Sequence, residues 1–254
     1  MAFTISHAVL APLISKLTGC YLPIAALAIG CMAPDLYRLF TADHYFEPHQ
    51  WSGIFKFTLW LGLFFCLIWY GLYRPVIYRI LGLQDQIILD SPQKSISFII
   101  FNIIAVLLGI CTHLIWDGLT HVDFRTFAFH DFLSQKIDLF GHIYPMHLIL
   151  QISSSVVGLA GVIWLSWQYY KKNQQHLAVA KRVTYWGFAI ILVSLSIGLF
   201  SFLDYIRHIP TQYFKTGLYH ITGRSINEFS QSFLISLTLG CILFLFLDRG
   251  RRLG

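Results

Sequence analysis

Charge is the scarcest commodity in this 254-residue sequence. Asp, Glu, Lys and Arg together make up 12% of it, and hydrophobic residues 56%. A soluble globular surface needs about 25% charged residues, so this chain must keep most of its surface from water. Glutamate is scarcer still: Glu47 and Glu228 are the only two. No HExxH occurs, which excludes the zincin type of intramembrane protease. No GxSxG nucleophile elbow is present either. The five cysteines (Cys20, Cys31, Cys66, Cys111, Cys241) form no CxxC pair and lie mostly in apolar runs, as small buried hydrophobes do. Internal repeats, low-complexity tracts and domain linkers are absent. So is a basic leader with a cleavage site, and the first span is expected to do the targeting.

Long apolar runs are what the sequence does have. Five of them approach the roughly 20 residues that cross a bilayer: Ile54 to Tyr73, Ser97 to Trp116, His147 to Trp167, Val183 to Leu203 and Ser232 to Leu247. Phe3 to Leu13 and Leu22 to Met32 are apolar but too short to span, and read as a helical pair at or in the membrane. The expected fold is all-α, a polytopic membrane helix bundle in one domain over 1–254. Within it, 1–53 is the N-terminal helical region, 54–168 holds the core spans and 169–254 the last two. Before the second span, Ser91 or Asp90 is placed to cap a helix. In "HDFLSQKIDLFGHIYP", Phe132, Leu133, Ile137 and Phe140 fall near helical spacing and predict a short amphipathic interfacial helix, stopped by Gly141 and Pro145.

The net charge of +6 forms no basic patch interleaved with aromatics, so nucleic acid is not expected as a partner; membrane lipid is. Ten Lys and Arg fall in the connections on the side of the 168–182 loop and the C-terminus, against seven on the other side. The positive-inside rule therefore predicts a cytoplasmic C-terminus.

An ionisable group inside a span costs a few kcal/mol or more unless it finds a partner, and marks function by default. In "GICTHLIWDGLTHVD", His113, Asp117 and His121 recur every four residues, on one stripe of a helix. Alone, His-x-x-x-Asp fits a metal site or a helix-end hydrogen-bond pair equally well. Topology adds His7, Asp35, His44, His49 and His147 to the same membrane face. Imidazole and carboxylate donors without thiolate suit zinc, manganese or iron. Lipid phosphatases that work through a phosphohistidine also carry His-x-x-x-Asp, but their Ser-Gly-His and preceding arginine are missing here.

The segments "FTISHA", "ALAIGCMAPDL", "PHQWSGIFKFTLWLGL", "LLGICTHLIWDGLTH" and "LILQISSSVVGL", spread over residues 3 to 160, resemble the domain-of-unknown-function 4184 family. That family is similar to the inner-membrane metal-dependent hydrolases, with Asp35, the pair His44 and His49, and His113 with Asp117 at the matching positions. The Arg-Gly that follows the first histidine there is absent here. More distantly, the order His7, Asp35, His49, His113, Asp117 resembles zinc-dependent phospholipase C and related nucleases. The resemblance implies that Asp35, His49, His113 and Asp117 hold one metal, and that His7 with a bridging Asp117 helps hold another. It gives His113 and Asp117 the central catalytic places and leaves His44, His121, His147 and Gln151 as additional candidates. Gln151 stands where those enzymes carry an acid, so one or two ions are expected rather than three.

The expectation is thus a bacterial inner-membrane, metal-dependent hydrolase. It would act as a phosphoesterase on a lipid or lipid-linked substrate at the outer face, with zinc, or manganese or iron, as cofactor. Arg38 and Arg125 are candidate phosphate contacts and equally good headgroup anchors. The rival expectation is a non-catalytic metal-binding membrane protein serving structure, transport or scaffolding. A transporter would show repeated halves with polar groups near the midplane, whereas these ligands gather at one end of their spans.

Overall fold

The computed structural model describes residues 4–41, 46–84, 87–175, 179–210, 212, 214, 218–250 and 252–253. Eight helices and one hairpin appear among them. They are α1 (Thr4–Leu17), which opens as a 3-10 turn, α2 (Ile24–Leu36), α3 (Ile54–Leu81), α4 (Pro92–Thr120) and α5 (His130–Ser134). Strands β1 (Lys136–Leu139) and β2 (His142–Pro145) follow, then α6 (Met146–Asn173), α7 (Lys181–Arg207) and α8 (Leu218–Leu247). Five helices, α3, α4, α6, α7 and α8, are long and apolar enough to cross a membrane. The chain is a polytopic helical membrane protein with a shorter N-terminal helical pair.

The contacts gather into two compact units, one of residues 1–66 and 87–169, the other of 67–86 and 170–254. In the first, α2 lies along α4. Two glycines set how closely. A Cβ on Gly30 would strike the Val106 carbonyl of α4, and one on Gly109 would strike the Leu27 carbonyl and come 2.7 Å from the Cys31 nitrogen. Backbone thus meets backbone, the small-residue contact by which helices approach in lipid. Helix α4 starts at Ser91, whose hydroxyl accepts from the Lys94 amide, with Pro92 in the first turn, where its missing N–H costs nothing. At the far end the Gln151 side chain donates to the Thr120 carbonyl at 2.9 Å, satisfying one of the carbonyls a helix end leaves open.

In the second unit Val76, Val183, Ile190, Cys241 and Phe244 form the core. Helices α7 and α8 pack together there, with Ser194 donating to Ser236 at 3.3 Å.

The segment expected as one amphipathic helix over 130–145 is different. Only His130–Ser134 is helical, and the rest is the β1–β2 hairpin. Phe140 and Gly141 form its two-residue loop with φ of 56° and 80°, the pair of positive φ values that a type I′ hairpin turn needs. Asp138 accepts from the Gly141 amide. Gly141, expected as a helix stop, instead reverses the chain, and the near-helical spacing of Ile137 and Phe140 is overridden by that turn.

Candidate metal centre

Four segments of the first unit bring ionisable side chains to one point: the 3-10 turn of α1, the end of α2, the 3-10 turn Glu47–His49 and the last two turns of α4. Asp117 is the hub. Its Oδ2 lies 3.5 Å from His113 Nε2 and 3.9 Å from His49 Nε2. Its Oδ1 lies 3.8 Å from His7 Nε2 and 3.6 Å from His121 Nδ1. Asp35 Oδ1 is 3.3 Å from His49 Nε2. The side chains of His49 and His113 are fully buried, about 10 Å from the helix end in the case of His113, seven residues before Thr120 at 1.5 Å each.

Each ligand candidate is held by a neighbour. His113 Nδ1 donates to the Cys31 carbonyl at 2.7 Å, which the Gly30 and Gly109 contact brings within reach. With Nδ1 protonated, Nε2 presents its lone pair to the centre, the arrangement in which a backbone carbonyl fixes a metal-binding histidine. Pro34 interrupts the α2 ladder one residue before Asp35, and Thr4 donates to Asp35 Oδ2 at 2.9 Å. The turn of α1 carrying His7 is anchored by Ser6, whose hydroxyl donates to the Ser155 carbonyl of α6 at 2.7 Å. The His7 ring lies against His113, centroids 4.1 Å apart, and meets Trp116 edge-on.

Two overlapping trios, His7–Asp35–His113 and His49–His113–Asp117, bring their ligand atoms within 4.8 Å of one another. Among the described residues, His113 Nε2 and both His7 nitrogens are buried with no hydrogen-bond partner. A buried polar nitrogen without a partner costs about 1–3 kcal/mol, and an ion accepting the one lone pair that each neutral ring offers removes that cost for His113 Nε2 and for one nitrogen of His7. These residues therefore fit a divalent cation. Because His113 has one lone pair to give, the two trios share it and cannot each hold a separate ion through it.

For the groups outside the membrane-spanning helices, protonation points the same way. Burial pushes His7 down to about 3, helped by the neighbouring His113. Burial lowers His49 despite its bond to Asp35, and takes His121 down to about 4, with Arg125 adding to the effect and Asp117 opposing it. Burial works against ionisation of Asp35, but the His49 hydrogen bond, with His113 and Arg38 nearby, holds it well below the usual carboxylate range. Neutral imidazole and ionised carboxylate are the forms that bind metal.

The family comparison extends beyond the motifs. A profile for a domain of unknown function, DUF4184, matches residues 1–247. The chain belongs to the DUF4184 family. The match runs through α7 and α8, past the last motif at residue 160, so these helices belong to the DUF4184 domain as well. No curated protein and no solved structure gives a significant match.

The remaining sequence candidates of this DUF4184 protein lie apart or at the rim. His121, directly after α4, borders the cluster through Asp117 Oδ1. His147 is half-buried on α6 and faces the Leu133 carbonyl at 3.3 Å. Gln151 is occupied with Thr120. His44 lies outside the described residues. Arg38 contributes charge near Asp35. Thr4 and the Cys31 carbonyl were missed by the sequence reading. Thr4 stands one turn before His7 and could have been found from that spacing, whereas a backbone carbonyl leaves no trace in sequence.

Proposed function

We propose that this protein is a membrane-embedded, metal-dependent hydrolase of the phosphoesterase type, acting on a lipid or lipid-linked phosphate. The observation that carries the reading is the convergence of His113 Nε2 and His49 Nε2 on Asp117 Oδ2, next to a His7 ring whose nitrogens are buried without partners. His49, His113 and Asp117 would hold the principal ion, and His7 and Asp35 would complete its shell or help hold a second one. Imidazole and carboxylate donors favour zinc, with manganese or iron as alternatives. Such an ion supplies Lewis acidity and makes water a nucleophile near neutral pH.

The chain's own residues do the rest. The Cys31 carbonyl keeps His113 in the tautomer that offers Nε2. Asp117, which faces four histidines and accepts from Arg125, orients the shell. The buried position of His49 and His113 keeps bulk water out. We place the site at the outer face of a bacterial inner membrane, since the basic connections favour the side of the C-terminus as cytoplasmic.

Purified full-length protein in detergent should contain stoichiometric divalent metal by elemental analysis. It should also hydrolyse phospholipid or phosphonucleotide esters when zinc or manganese is supplied, with turnover lost in His113→Ala. Metal bound without turnover would turn the assignment to a structural or transport metal site, and absence of bound metal would end it.

A further inference from the structure

The cluster holds a cation of its own. Arg125 lies in the short loop after α4, its side chain 8% exposed, and its Nη1 donates to Asp117 Oδ2 at 2.8 Å. That is the same oxygen that His113 and His49 face. Asp123 grips the other side of the guanidinium: Nε donates to its Oδ1 at 2.9 Å and Nη2 to its Oδ2. The Arg125 backbone amide also donates to Asp123 Oδ1, at 2.9 Å. The loop itself is tied down. The Asp123 amide donates to the Thr126 hydroxyl, that hydroxyl donates to the His121 carbonyl at 2.6 Å, and the Phe127 amide donates to the Gly118 carbonyl.

A guanidinium and a divalent ion that share one carboxylate oxygen repel each other in a buried, low-dielectric place. An oxyanion with one oxygen toward the ion and another toward Arg125 turns that repulsion into two attractions. Arginine presents parallel N–H groups that match phosphate geometry. Asp123 keeps Nε and Nη2, so Nη1 can pass from Asp117 to such a ligand while the guanidinium stays in place. Beside it, the exposed rings of Phe46 and Phe124 pack edge to face, centroids 4.8 Å apart, an apolar flank for a phosphate that carries acyl chains.

We infer that Arg125, positioned by Asp123, is the anion-binding arm of the metal centre and selects a phosphate-class oxyanion as the group the site receives. The inference rests on the metal reading above and specifies what that metal site binds.

The test uses full-length protein in detergent micelles loaded with cobalt(II), whose visible absorption reports changes in its ligands. Inorganic phosphate is titrated in one arm, and phosphatidic acid in mixed micelles in the other, with diacylglycerol as control. Arg125→Met should keep stoichiometric cobalt and bind phosphate ten- to a hundredfold more weakly, as expected for loss of one charge-assisted hydrogen-bonding group. Arg125→Lys, which keeps the charge and is the variant to read should Arg125→Met not fold, should fall between the two. Asp123→Asn should weaken phosphate binding by less than Arg125→Met. Arg125-dependent binding in the phosphatidic acid arm identifies a lipid phosphate, and in the inorganic phosphate arm alone a free one; both support the inference. Equal phosphate affinity in wild type and Arg125→Met overturns it, as does a cobalt-loaded wild type that binds neither phosphate. Failure of the wild type to bind cobalt overturns the metal reading itself and is read separately, before any phosphate is added.

Discussion

The two compact units differ in the ionisable groups they bury. The unit of residues 1–66 and 87–169 buries His7, His49, His113, Asp117 and His121. The core of the other is Val76, Val183, Ile190, Cys241 and Phe244. Its one buried charge among the described residues, Arg74, lies over the Tyr78 ring with 4.3 Å to the centroid. An apolar interior needs no further explanation than packing. A polar one costs desolvation and persists where each group has a partner or a ligand. The difference teaches that the first unit carries the groups able to hold a metal ion and the second is held by packing, so substitutions in each should read out differently.

The largest effect should come from the hub. Asp117→Ala removes the carboxylate that His7, His49, His113, His121 and Arg125 all face, and bound divalent metal should fall from stoichiometric to background in elemental analysis. Phe244→Ala is the counterpart in the apolar unit. Phe244 is fully buried, so truncation should cost about 3–5 kcal/mol of stability, read as a lower melting temperature in detergent, while the metal content of the folded fraction stays at the wild-type value. Metal loss in both variants would erase the contrast.

A subtler break is Gly109→Ala. The added Cβ would push α2 away from α4 and strain the bond from His113 Nδ1 to the Cys31 carbonyl without touching any ligand. Disturbing such a supporting bond lowers metal affinity about 10- to 100-fold, measurable by competition with a chelator. An unchanged affinity would show that the carbonyl does not set the His113 tautomer.

How much of this was legible in the sequence depended on whether the signal was local. The five spans could be read because twenty apolar residues in a row have few other uses. Their ends were shorter than the helices, since Arg74, Arg79, Lys171 and Lys172 continue the turns past the apolar stretch. His113 and Asp117 declared themselves by four-residue spacing on a helix. That His7, Asp35 and His49 join them came from topology and resemblance, because the glycine contact that brings α2 against α4 is tertiary. The hairpin over 136–145 was hidden by apolar residues at ambiguous spacing. Arg125 was visible as a basic residue near the site, but its grip by Asp123 and Asp117 depends on how the loop folds back over the helix end.

Acidification should separate the two interiors more gently. Burial holds His7 at about 3 and His121 at about 4, against an ordinary 6.5. Below pH 6.5 the unfolded chain takes up protons that the folded chain refuses, so stability falls as pH drops from 6.5 toward those values. In chelator-treated protein the melting temperature should decline across this window. His7→Asn should flatten the decline, whereas Phe244→Ala should shift the whole curve down without changing its slope. A pH-independent melting temperature between 6.5 and 4 would contradict neutral burial of these histidines.

The smallest effect tests whether polar contacts in the apolar unit matter at all. Ser194 donates to Ser236 across the α7–α8 seam at 3.3 Å, beyond the usual length of a hydroxyl bond. Hydrogen bonds between membrane helices average about 0.6 kcal/mol, because in the unfolded state the same hydroxyls find other partners. Ser194→Ala should therefore change stability by less than about 1 kcal/mol, visible as a small shift in melting temperature with metal content unchanged. A loss as large as that of Phe244→Ala would mean that the seam is held by its hydroxyl pair rather than by packing, and the second unit would then have a polar interior of its own to explain.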